Sequence, residues 1–75
     1  MSLFTQAYLL EKYGPRLTMD QLASELGVKR QTVYNKIANG SLTIPTYVDG
    51  QRFCDYRDLA AYFDECRARA KLQIN

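Results

Sequence analysis

The side chains of this chain that could do chemistry are concentrated in one short stretch. Lys29, Arg30, Gln31, Thr32, Tyr34, Asn35 and Lys36 offer cationic, amide and hydroxyl groups with no carboxylate among them. The acid-free window is wider still, running from Leu26 to Val48, although the whole chain of 75 residues carries a net charge of only +2. These groups do not make a reaction centre. The sequence holds no histidine, no Gly-rich phosphate loop and no nucleophile with a base placed beside it. Its two cysteines, Cys54 and Cys66, fall short of the roughly four ligands a structural zinc requires. No catalytic residue, cofactor or metal is therefore expected, and the chain is expected not to be an enzyme. What the cluster can do is recognise a polyanion. Arginine and lysine bond guanine edges or phosphates, and glutamine and asparagine pair with adenine through two hydrogen bonds. The plainer alternative is a solvated helix surface with a chance excess of positive charge.

The elements that must position this stretch can be read around it. Residues 17–40 spell LTMDQLASELGVKRQTVYNKIANG. Thr18-Met19-Asp20-Gln21 has the form of a capping box, with Leu17 and Leu22 at the staple positions, so a helix is expected over about 18–26. Leu22, Ala23 and Leu26 form its inward face. Gly27 suits the left-handed position that ends it, and Val28 is placed to plug the gap before a second helix over about 29–39. Val33 and Ile37, four apart, point that helix inward and leave Arg30, Gln31, Tyr34, Asn35 and Ala38 outward. Two helices joined by a tight turn, the second basic, are a helix-turn-helix, a device for setting one helix in the DNA major groove. Lys29 stands at the positive end of its own helix, where it costs roughly 0.3–1 kcal/mol. A DNA phosphate held by the free helix amides would offset that; otherwise Lys29 is simply a tolerated surface lysine.

After Gly40 the apolar period shortens. A β-hairpin is expected over about 43–54, turning at Asp49-Gly50. A two-residue turn sets Val48 opposite Gln51, Tyr47 opposite Arg52 and Thr46 opposite Phe53. Val48 and Phe53 then face the core, and Tyr47 and Arg52 share the outer side. Such a ribbon after a reading helix is a wing. Arg52, with Tyr47 and Gln51 beside it, is expected against phosphates or in the minor groove, or stacked on Tyr47. Pro45 keeps the first strand at an edge.

Two outer helices complete the reading. One covers about 3–13, with Leu3, Phe4, Ala7, Tyr8 and Leu10 as its apolar face, and closes at Gly14-Pro15. It either packs on the back of the helix-turn-helix or forms a dimer surface. The other covers about 56–70, capped by Asp55 with Asp58 as capping partner. Its apolar stripe is Leu59, Tyr62, Phe63 and Cys66, and its late bases are Arg67, Arg69 and Lys71. Residues 71–75 are expected to fray. The fold class expected is thus mainly α with a small β-hairpin, a single winged helix-turn-helix domain spanning 1–75. No apolar run approaches the roughly 20 residues of a membrane span, and no signal peptide is evident, so a cytoplasmic location is expected. A disulfide between Cys54 and Cys66 is not expected there.

Several short motifs, taken in order, are familiar. They are Leu26-Gly27-Val28, Thr32-Val33-Tyr34 with Ile37 and Gly40, Ile44-Pro45, Asp49-Gly50-Gln51-Arg52, and Asp58-Leu59 with Tyr62-Phe63. Over about 17–66 this resembles the excisionase-type winged helix-turn-helix, related to MerR-type regulators and similar to AlpA-type prophage regulators. The resemblance implies that the helix after Gly27 enters the major groove and the wing the minor groove. It implies that Arg30, Gln31, Tyr34 and Asn35 meet bases and Arg52 the backbone or minor groove. It further implies a bacterial or phage-encoded, nucleoid-associated protein that binds double-stranded DNA beside other copies of itself, bends attachment-site DNA and helps an integrase excise a mobile element. Two positions depart from the pattern: Lys29 where a Ser or Thr cap is usual, and Gln51 where the wing is often basic. A small transcriptional activator or repressor acting through RNA polymerase or operator occlusion fits the same residues. A protein-interaction module using the outer helices is the remaining alternative.

Overall fold

The computed structural model describes residues 3–73 of the chain. Its elements run α1 (Leu3–Tyr13), β1 (Arg16–Thr18), α2 (Met19–Leu26), α3 (Arg30–Ala38), β2 (Tyr47–Asp49), β3 (Gln51–Asp55) and α4 (Tyr56–Leu72). The result is a mainly helical small domain of four helices with a three-stranded antiparallel sheet in the order β1-β3-β2. The helices expected over 3–13, 18–26 and 29–39 lie within a residue of those bounds. The last helix continues to Leu72, through the start of the stretch expected to fray; Ile74 and Asn75 lie outside the described residues, as do Met1 and Ser2.

Local chemistry accounts for most of the helix boundaries. Thr18 caps α2 as a full capping box: its hydroxyl accepts from the Gln21 backbone N–H at 3.2 Å, and the Gln21 side chain accepts from the Thr18 N–H at 2.9 Å. Gly27, at φ 71°, ends α2 in the left-handed conformation that suits glycine. Asp55 caps α4 by accepting from the Arg57 N–H at 2.8 Å. Arg57, rather than the expected Asp58, completes that cap, since its guanidinium also holds the Asp55 carboxylate at 2.9 Å.

One apolar cluster joins all four helices to the sheet. It takes Leu9 from α1, Leu17 from β1, Met19, Leu22 and Ala23 from α2, Val33 from α3, Cys54 from β3, and Leu59 and Ala60 from α4. Ile44, in the segment after α3, is buried with them. Each Leu, Val, Ile or Met among them contributes roughly 1.5–3 kcal/mol if fully buried.

Several expectations are corrected. The strand β1 was not anticipated, and residues 43–46 are not strand, so the hairpin is shorter than expected at its start. The hairpin register differs by one residue: Tyr47 pairs with Phe53, Val48 with Arg52, and Asp49 with Gln51 across Gly50. Val48 is therefore 64% exposed, and Cys54, opposite Leu17, takes the core position. On α1 the fully buried residue is Leu9, while the expected apolar face of Leu3, Phe4, Ala7, Tyr8 and Leu10 is exposed. Finally, Cys66 is only half-buried and outside the core cluster, and Val28 is exposed rather than a plug between helices. Both cysteines are free thiols.

Candidate nucleic-acid interface

The α3 helix is held from behind and open in front. Val33 is fully buried, with Tyr34 and Ile37 packed partly against the core. Ala23 on α2 is buried and small, which lets α3 approach α2 closely. Beyond the helix, Asn39 accepts from the Ser41 N–H through its side chain at 2.9 Å, and Gly40 adopts φ 74°. These contacts fix the axial rotation of α3 and so decide which side chains face out.

The outward set matches most of the expected one. Lys29, Arg30, Gln31, Asn35 and Lys36 are exposed, whereas Thr32 and Tyr34 are half-buried. Lys29 is the N-cap, in extended conformation, and makes no side-chain capping bond. The first-turn amides of α3 are thus left without the side-chain acceptor that Thr18 supplies to α2. Gln31 donates to the Asn35 side-chain oxygen at 3.0 Å, one turn on. The two side-chain amides are thus linked to each other across one helical turn. The Arg30 guanidinium lies 5.4 Å from the Tyr34 ring centroid and 3.6 Å from Asp20. Tyr34 first and Asp20 second raise its pKa above the ordinary arginine value, so the charge is kept. Both Arg30 and Asp20 are well exposed, so solvent screens the pair and it adds little to stability. A phosphate or guanine could displace Asp20 at little cost.

The hairpin is arranged differently from expectation. Tyr47 and Arg52 do not share a face. Arg52 is half-buried and donates to the Thr46 hydroxyl at 2.8 Å, and Tyr47 instead meets Phe53, with ring centroids 6.1 Å apart. Gln51 is exposed beside the turn.

Arg16 is the residue that sequence reasoning missed. Its guanidinium sits 3.7 Å from the Phe53 ring centroid and 2.9 Å from the Asp49 carboxylate. Phe53 is therefore buried from the outer face of the sheet, beneath an arginine, rather than in the core. Asp49 first, and then Tyr47, raise the Arg16 pKa. This arrangement ties the end of β2 to β1 across β3. Nothing in the sequence signals it, because it depends on a three-residue strand whose partner lies far along the chain.

Among the described residues, no group of three or more His, Cys, Asp or Glu is placed to hold a metal, and no helix is long and apolar enough to cross a membrane. No family model, curated protein or solved structure matches the chain.

Proposed function

We propose that this protein is a winged helix-turn-helix that binds double-stranded DNA, with α2 and α3 as the helix pair and the β2–β3 hairpin as the wing. The observation that carries the reading is the outer face of α3. Lys29, Arg30, Gln31, Asn35 and Lys36 stand exposed on a helix whose opposite side is anchored by Val33, in a stretch without acids from Leu26 to Val48. An α-helix is about as wide as the major groove. In this reading Lys29, Lys36 and the uncapped amides take phosphates, Arg30 and the Gln31–Asn35 pair meet base edges, and Thr32 and Tyr34 reach phosphates or a thymine methyl. Tyr47 and Gln51 approach from the wing, with Arg52 acting only after it leaves Thr46.

Within DNA binding, the more specific role we propose is that of an excisionase, bending attachment-site DNA as several adjacent copies and directing an integrase toward excision. It rests on the motif resemblance over 17–66. The test is an excision and integration assay with an integrase encoded beside it. An effect on neither direction, with regulation of a promoter instead, would move the role to a transcriptional regulator.

DNA binding itself is tested by salt titration. With Lys29, Arg30, Lys36 and Arg52 as the contacting cations, log K should fall with log salt at a slope of about −3 to −4 per protomer. A flat response sinks the reading. Arg30→Ala or Asn35→Ala should cost about 1–3 kcal/mol on the preferred site and relax sequence preference, whereas Lys36→Ala should weaken all sequences alike.

A further inference from the structure

We infer that Arg16, a residue of β1, presents a cation to a DNA phosphate at the hairpin, and that Asp49 occupies it until the phosphate arrives. The inference rests on the DNA-binding reading above. It adds to that reading a contact from outside both the helix pair and the hairpin.

The hairpin has two sides, and its charges are divided between them. Tyr47 pairs with Phe53 and Val48 with Arg52, so the two pairs point to opposite sides. Arg52 lies on the side that leads through Cys54 into the core, and its guanidinium donates to the Thr46 hydroxyl at 2.8 Å. The outer side carries Tyr47, Asp49, Gln51, Phe53 and Asp55, with no cation among them. Arg16 supplies one from the neighbouring strand. Its guanidinium reaches 3.7 Å from the Phe53 ring centroid and 2.9 Å from the carboxylate of Asp49, the residue next to Gly50 at the turn. The cation therefore belongs to β1 by sequence and to the end of the hairpin by position.

Its surroundings suit an incoming phosphate. Contact with a ring holds a guanidinium in place without using its N–H donors. Arg16 has five such donors, and the bond to Asp49 runs from Nη1 alone. Little further ordering is needed before a phosphate oxygen can accept the same kind of charge-assisted bond. The carboxylate now in that place is easily exchanged. Its side chain is 68% exposed and that of Arg16 is 41%, so solvent screens the pair. When a phosphate replaces Asp49, Arg16 stays neutralised and the carboxylate returns to water. Asp49 is thus a stand-in for the phosphate, and its own charge opposes DNA at the same point.

Binding of the full chain to a duplex selected from a randomised library, followed across a salt series, tests this. Arg16→Ala should weaken binding about tenfold and make the log–log salt slope shallower by about one. Asp49→Asn breaks the same tie but should tighten binding. Its gain should be smaller by a factor of about three when Arg16 is already alanine. If Arg16 only fastens β2 to β1, both single substitutions loosen the hairpin and both weaken binding, which overturns the inference. An equal gain from Asp49→Asn in the two backgrounds overturns it as well, because only the loss of a negative charge would then be felt. A slope unchanged by Arg16→Ala, in a wild type that responds to salt, overturns the inference and leaves the DNA-binding reading standing. A flat response of the wild type overturns both.

Discussion

Cys54 and Cys66 show how position changes the meaning of one residue type. Cys54 is fully buried opposite Leu17, and burial, with the carboxylates of Asp58 and Asp55 adding to it, pushes its thiol pKa up to about 12. Cys66 is half-buried beside Arg69, whose guanidinium donates to its sulfur at 3.4 Å. A chromogenic disulfide reagent should thus titrate one fast thiol per native chain and two in denaturant, and Cys66→Ser should abolish the fast phase. Fast reaction of Cys54 would contradict the packing described. The raised Cys54 pKa also has a sign. The folded state favours the neutral thiol, so its contribution is intact below the ordinary thiol pKa of about 8.5 and is lost as pH rises toward 12. At this scale the sequence was legible where the chemistry is local. The Thr18–Gln21 box and the Asp55 cap could be read because donor and acceptor lie within three residues of each other. The placement of the two cysteines could not, because it depends on which face of β3 meets β1.

Among the elements, α3 packs on α2 and the hairpin strand β3 pairs with both β1 and β2, and each gives a prediction. α3 starts at Lys29 with no side-chain cap. Lys29→Ser should add a cap worth about 1 kcal/mol, raising the melting temperature. If the uncapped amides and Lys29 hold a phosphate, the same change should weaken DNA binding. Stabilisation with undiminished affinity would remove Lys29 from the interface. The hairpin is tied by Arg16 to both Phe53 and Asp49. Arg16→Ala should lower the melting temperature slightly and speed amide exchange in β2 without changing it in α2; equal exchange would show that β2 is held by other contacts. The hairpin register could not be read from Asp49-Gly50 alone. That dipeptide favours a two-residue turn, yet here Asp49 itself pairs with Gln51. The observed register lets Leu17 and Cys54 bury together while Phe53 is covered by Arg16, and this pairing lies outside the hairpin. For α1 the helix was legible but its inward side was not. Its apolar residues surround much of the helix, and contact with α4 selects Leu9.

For the molecule as a whole, a single cluster links every helix to the sheet. Leu22→Ala in α2 and Leu59→Ala in α4 should therefore each cost about 2–5 kcal/mol and lower one shared thermal transition rather than separate ones. Calorimetry resolving two transitions would show that the outer helices melt independently. This breadth of support has a bearing on α3. Val33 is its one fully buried residue, and Arg30, Gln31, Asn35, Lys36 and Ala38 are exposed. Substitutions at such surface positions usually change stability by no more than about 0.5 kcal/mol. The outer face of α3 can therefore drift through many residue combinations while the fold stays put. In evolutionary terms the scaffold is robust and this face is free to vary, so under the DNA-binding role proposed above new preferences can arise by single steps that leave folding intact.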